Sequence, residues 1–256
     1  MEKCNHGSGS GTLFVVGTGP GSIKNMTLAA SEVLEKAEVI IGYKTYLDLI
    51  PEFLLNKEVI SSEMMKEVDR CRKALEIASS GKQVALVSGG DPGIYAMAGL
   101  VFEMAKEAGY PCTIEIIPGL AAINSCAARL GAPLMHDFAA ISLSDLLTPW
   151  ELIEKRLEAA ADADFVTAIY NPRSKRRTEQ IVRAREIFLS HRDPKTPVGI
   201  VTAATRENEK IVVTTLEDML NSEIGMQSTV IIGNSQTFTW KDLMITPRGY
   251  GEKYQL

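Results

Sequence analysis

The sequence predicts an α/β protein in two parts, the first a mostly parallel sheet flanked by helices. Three observations predict it. From Thr12 to about residue 120, short apolar strand-like runs alternate with stretches that carry helical spacing. Strand, helix, strand at that cadence gives parallel strands buried by helices, and "VALVS" reads as such a buried strand. Beyond that point the texture changes, and closely spaced strand candidates replace the regular alternation. At 256 residues the chain is long enough for one large domain or two modest ones with real cores.

"TLFVVG" is the first strand, "LAASEVLEKA" a helix capped by Thr27, and "EVIIG" the second strand. The stretch "MMKEVDRCRKALEIASSG" is a helix ended by Gly81, followed by "QVALVS" as a strand, "GIYAMAGLVFEMAKEAG" as a helix and "CTIEIIPG" as a strand. In the second half, "HDFAAISLSD" is strand-like and a helix runs from about Pro149 to Ala161, with Thr148 as its cap, proline in its first turn and Glu151 three residues on. "DFVTAIYNP" is a strand, "KRRTEQIVRAREIFLSH" a long helix, and "PVGIVTAA", "KIVVTTL" and "STVIIGN" three further strands, the second followed by a short helix. We expect a disordered linker at residues 1–11, an N-terminal domain at 12–125 and a C-terminal domain at 126–256. A cleft between the two is the expected ligand site.

Composition narrows the function. Hydrophobic content of 45% and charged content of 23% are those of a globular protein, and a net charge of -5 argues against a nucleic-acid partner. No apolar run approaches the roughly 20 residues that cross a bilayer. The start "MEKCNHGSGSG" lacks the apolar core of a signal peptide. The four cysteines, Cys4, Cys71, Cys112 and Cys126, form no C-x-x-C pair, so we expect a reducing, cytoplasmic setting, no disulfide framework and no metal site.

Four segments carry the chemistry. In "SGGDPGIYAMA", Gly89, Gly90 and Pro92 turn the chain tightly between strand and helix, where glycines let backbone amides approach a ligand. "VVGTGPGS" places Gly17, Gly19 and Gly21 after a strand, but a dinucleotide fingerprint needs G-x-G-x-x-G opening a helix directly and an acidic residue ending the second strand. Here the spacing is G-x-G-x-G with Pro20 inside it, and the second strand ends in "IIGYKTY". The loop exposes backbone donors without being a nicotinamide site. "YNPRSKRR" is the densest basic cluster; Arg173 and Arg177 in it suit carboxylates on a small acidic molecule, or a solvated helix start. "HDFAAISLSDLLTPWE" gathers His136, Asp137, Ser142, Ser144, Asp145 and Thr148, with no G-x-S-x-G elbow to support a hydrolase triad.

Taken together, "VVGTGPGS", "SGGDPGIYAMA" and "IIPGLAAINSCAARLGAPLMHDFAAISLSDLLTPW" closely resemble the tetrapyrrole methyltransferases. The last, with "DFVTAIYNPRSKRR", is similar to the precorrin-3B or cobalt-factor III C17-methyltransferase branch. The resemblance spans residues 12 to about 246. It implies a homodimer of two-domain subunits, with a mixed-sheet C-terminal domain and S-adenosylmethionine bound in the cleft. Gly90, Asp91 and Ile94 match the loop for the amino-acid end of the cofactor, and Ala121 and Ala122 match a second backbone contact. Tyr170, Asn171, Ala203, Ala204, Thr229 and Ile231 match strand ends around adenine and ribose. Gly17, Gly19, Pro20 and Gly21 would face the macrocycle, with Arg173 and Arg177 on its acidic side chains. The implied reaction methylates C17 and contracts the ring, which calls for loss of a proton and so for a general acid or base, with Ser144, Asp145 and His136 as candidates. Some relatives in the branch carry an iron–sulfur region; the scattered cysteines here predict none. A sibling acting on another ring carbon, a diphthine-forming methyltransferase, a nicotinamide oxidoreductase and a silent binding module stand as alternatives.

Overall fold

The computed structural model describes residues 11–254. The expected linker, apart from Gly11, and Cys4 lie outside the described residues. Gly11 itself is buried and its carbonyl accepts from the Thr113 amide, so it is the first rung of a strand edge rather than linker. The chain folds as two units, Met1–Ala122 and Ile123–Leu256.

In the first unit, β1 (Thr12–Gly17), α1 (Leu28–Lys36), β2 (Val39–Tyr43), α2 (Lys44–Leu47), β3 (Glu58–Ser62), α3 (Glu67–Ser79), β4 (Gln83–Ser88), α4 (Ala98–Ala108) and β5 (Thr113–Ile117) follow one another. The strands form one sheet in the order β3-β2-β4-β1-β5, every pairing parallel. Its central strands are apolar at nearly every position because both faces are covered. Val16, Ile40 and Ala85 pack with Leu34 of α1 and Leu47 of α2, while Val15, Ile41 and Leu86 pack with Leu75 of α3 and Val101 of α4. The expected Thr27 cap is present, its Oγ1 accepting from the Ala30 amide at 3.1 Å.

In the second unit, α5 (Ala122–Leu130) leads from the first; β6 (Gly131–Ala132), β7 (Phe138–Ser142), α6 (Trp150–Asp162), β8 (Val166–Tyr170), α7 (Glu179–Leu189), β9 (Pro197–Thr202), β10 (Lys210–Thr215), β11 (Ser228–Ile232), β12 (Phe238–Trp240), β13 (Leu243–Ile245) and α8 (Tyr250–Tyr254) complete it. The main sheet runs β10-β9-β11-β8-β7, mixed as expected, with only β7 and β8 parallel. One face packs on α6 and α7 through Ile153, Leu157, Ile187 and Phe188. Against the other face lies α5, whose Leu130 fills the space a side chain at Gly199 would need. β12, β13 and β6 form a small separate sheet.

Several boundaries differ from the sequence reading. The helix expected to include Gly93 opens only at Ala98, because Asp91 first folds the chain into a turn on the Gly93 amide. The cap of α6 falls on Pro149, extended at ψ 138°, and no side chain caps it, so Thr148 does not serve as expected. Strand β3 was not anticipated: "EVISS" is half polar and lies at a sheet edge, where burial imposes little pattern.

Candidate active site

The first unit builds its site from backbone. Strands β1 and β4 are neighbours, yet the helices that follow them cover opposite faces, so the chain diverges at their carboxyl ends and leaves a crevice there. Gly19 and Gly90 close it with a reciprocal pair of hydrogen bonds of 3.1 and 2.7 Å. Gly119, at the end of β5, approaches so closely that a side chain there would lie 2.1 Å from the Gly90 carbonyl oxygen and 2.7 Å from the Gly17 carbonyl carbon. Three backbones meet where only glycine allows it. Gly17, Gly19 and Pro20 are buried, and Gly21 is partly open. A 3-10 turn, Ile23–Asn25, separates the loop from α1, and β2 ends in Tyr43, so the dinucleotide geometry is absent here too.

Asp91 holds this arrangement together. One carboxylate oxygen accepts from the Gly93 amide at 2.8 Å and the other from the Gly119 amide at 3.1 Å, tying the β4 loop to the β5 loop. Gly90 has φ 69°, and its missing side chain points towards the Ala122 amide and the Ala121 Cα, at 3.8 and 4.0 Å. Ile94 and Tyr95 are exposed beyond the turn. The residues expected to take the amino-acid end of a cofactor therefore form one connected loop pair, presented by glycines.

The second unit builds its site at one sheet edge. β8 and β9 are both antiparallel to β11, and β7 is parallel to β8, so the ends of β7, β8 and β9 and the start of β11 lie together. Tyr170, Asn171, Ala203, Ala204 and Thr229 all fall on that edge. Ile231 lies further along β11, fully buried and paired with Gly199, on which α5 packs. Tyr170 reaches α5, its hydroxyl oxygen accepting from the Ile123 amide at 2.9 Å. Asn171 at φ 49°, Ala203 at φ 52° and Thr205 at φ 67° are left-handed without being glycine. Such conformations are costly and gather where a structure over-determines them for a purpose.

Side chains beyond the ends of β7 and β8 interlock. The Ser142 hydroxyl oxygen accepts from Asn171 Nδ2 at 3.0 Å and from the Ser144 amide at 3.2 Å. Asp145 accepts from Gln180 Nε2 at 2.8 Å. Arg177 donates to the Asn171 carbonyl at 2.9 Å, which ties it to its own loop. Arg173 stays exposed. His136 lies before β7 and Ser144 after it, at opposite ends of the five-residue strand Phe138–Ser142. That separates His136, exposed and accepting from the Asp137 amide, from the other two candidates. Gln180 and Glu209 belong to this edge and nothing in their spacing marks them in the sequence; Ser142 stands in a segment the sequence does bring forward, without a role assigned to it.

Cys126 on α5 lies under the edge, hydrogen-bonded to Thr229, and burial pushes its thiol up to about 11. Such a thiol stays protonated and inert at neutral pH. Among the described residues no cluster of histidine, cysteine or acidic side chains has the arrangement of a metal site, and no helix is long and apolar enough to cross a membrane.

Comparison with known proteins fits this geometry. The family model of the Tetrapyrrole (Corrin/Porphyrin) Methylases matches residues 12–220. The Cobalt-factor III methyltransferase of Priestia megaterium is 56% identical over 96% of this chain, which spans only 46% of that relative's length. The probable cobalt-factor III C(17)-methyltransferase of Salmonella typhimurium is 49% identical over 93% of this chain and 99% of its own. The crystal structure of the methyltransferase CobJ superposes with a TM-score of 0.88 at 38% identity, covering 93% of this chain and all of that one. The family matched, the identity and the shared two-unit architecture agree: the chain belongs to the tetrapyrrole methylases, in the branch of the cobalt-factor III C17-methyltransferases.

Proposed function

We propose that this protein transfers a methyl group from S-adenosylmethionine to C17 of cobalt-factor III or precorrin-3B, with contraction of the ring, in the building of cobalamin. The observation that carries the reading is the 49% identity to the Salmonella typhimurium relative over nearly the whole of both chains. The site fits the cofactor on its own chemistry. Gly90 and Gly119 put no side chain over the loop pair, Asp91 ties their loops together, and the left-handed Asn171 and Ala203 present backbone at the second edge.

Gly90, Asp91, Ile94, Ala121 and Ala122 would hold the amino-acid end of the cofactor, and Tyr170, Asn171, Ala203, Ala204 and Thr229 its adenosine. When bound, S-adenosylmethionine supplies an electrophilic methyl on sulfur. The chain's task is then chiefly to orient, which is where most of the rate of an in-line displacement arises. Asp145, whose carboxylate accepts from Gln180, would take the proton in this reading, and the Ser142–Asn171 contact fixes the strand ends of β7 and β8. Arg173 remains for an acidic side chain of the substrate. A cytoplasmic homodimer goes with this reading.

Anaerobic single-turnover mass spectrometry with S-adenosylmethionine, offering cobalt-factor III and metal-free precorrin-3B in parallel, tests it. The expected product carries one added methyl at C17 and a contracted ring. Methylation of neither macrocycle would overturn the assignment.

A further inference from the structure

Glu209 has no part in the activity described so far, yet it holds the turn on which the cofactor reading depends. Residues 203–209 join β9 to β10, which pair antiparallel from Thr202 and Lys210. Within that loop Ala203 and Thr205 are both left-handed, at φ 52° and 67°. A β-branched residue in this region is a genuine outlier, and a flexible loop would relax out of it. One carboxylate oxygen takes a direct part in holding it there. Glu209 Oε2 accepts from the Thr205 amide and from Arg129 Nε at 2.9 Å. Arg129 sits in the last turn of α5, the helix whose first turn is held by Tyr170. Backbone bonds from Ala203 to Gln227, from Arg206 to Ala203 and from Glu209 to Arg206 complete the loop. The side chain of Glu209 is only 19% exposed, so little water competes for its oxygen.

We infer that Glu209 is a positioning residue for cofactor binding. It clamps the Thr205 amide and thereby fixes the backbone of Ala203 and Ala204 where adenosine is received. The inference rests on the reading that these two alanines bind S-adenosylmethionine, and it concerns affinity rather than the chemical step. An oxygen that accepts the Thr205 amide is what the turn needs. The charge matters only for Arg129, so glutamine should serve nearly as well as glutamate.

The test is titration calorimetry of the full chain with S-adenosylhomocysteine, with thermal melting in parallel. Glu209→Ala should weaken binding about tenfold, the effect of losing one charge-assisted hydrogen bond. Glu209→Gln should stay within about threefold of the parent, since it keeps the acceptor. Adding Thr205→Gly to Glu209→Ala should recover part of the loss, because glycine adopts the left-handed turn unaided. In kinetics the KM for S-adenosylmethionine should rise with the dissociation constant, with a much smaller fall in kcat.

Ala204→Leu is the control for the underlying reading and should bind far more weakly than any of these. Unchanged binding in Glu209→Ala beside a defective Ala204→Leu overturns the inference alone. Unchanged binding in Ala204→Leu overturns the reading beneath it. If Glu209→Ala does not fold, Arg129→Ala and Glu209→Gln decide: both binding within threefold of the parent supports the amide clamp, whereas a tenfold loss in Glu209→Gln overturns it.

Discussion

Asp91 shows how one side chain turns a loop into a site. Its two oxygens each accept a backbone amide, Gly93 in its own turn and Gly119 from the next loop. Sequence reading could place this aspartate in a glycine-rich turn but could not say which amides it faces, because Gly119 lies 28 residues away. Asp91→Ala removes both acceptors and leaves two partly shielded amides, at a cost of about 2–3 kcal/mol for hydrogen bonds to a charged group. Asp91→Asn keeps one good acceptor and turns an amide nitrogen towards the other donor, so about half that loss is expected. Urea unfolding measures both, and calorimetry with S-adenosylhomocysteine should show a parallel loss of affinity. An alanine variant as stable as the parent would remove the bracing role.

At the scale of elements, what was legible depended on whether burial imposed a pattern. β1, β2, β4 and β8 are buried almost throughout and were plain in the sequence. β3 and β12 are largely exposed, and neither stood out, since an edge or surface strand need not be apolar. The second-unit site was half legible for a related reason: the resemblance brings Tyr170, Asn171, Ala203 and Ala204 forward, but Gln180 and Glu209, and Ser142 in its bond to Asn171, act through tertiary contacts that no local spacing announces.

Arg192 belongs to the same class. It is buried over the ring of Phe188 and donates to the carbonyls of Ala160, Phe165 and Gly233, joining the end of α6, the approach to β8 and the end of β11. Burial lowers its pKa to about 10, with Asp164 acting in the opposite sense, so it remains a cation at neutral pH. Arg192→Met would remove its bonds to three carbonyls, of which Ala160 keeps the Phe165 amide and Phe165 keeps the Thr167 hydroxyl, and should cost about 2–3 kcal/mol, the range for hydrogen bonds to a charged group. Arg192→Lys should recover little, because an ammonium cannot span the three acceptors as the guanidinium fork does. Denaturant melts of the two variants decide it; a fully stable lysine variant would show that charge suffices without the fork.

For the whole molecule, two of the described thiols are buried, Cys71 in the first unit and Cys126 in the second, and the pair makes stability depend on pH in a defined direction. Burial raises Cys71 to about 12 and Cys126 to about 11, from an ordinary value of 9.0. The folded chain therefore keeps two protons that the unfolded chain releases. Where the native state binds more protons than the unfolded one, stability falls as pH rises. The contribution is whole below about pH 9 and is lost progressively as pH climbs towards 11 and 12. Chemical denaturation at a series of pH values should show the midpoint falling above pH 9, and Cys71→Ala and Cys126→Ala should each flatten that slope while lowering stability at pH 7 through lost packing. The same burial predicts reactivity. Among the described cysteines, brief iodoacetamide treatment at pH 8 should mark the half-buried Cys112 and spare the other two until the chain unfolds. Peptide mapping reads this directly: early alkylation at Cys126 would mean that α5 opens from its sheet in the native state, and early alkylation at Cys71 would mean the same of α3.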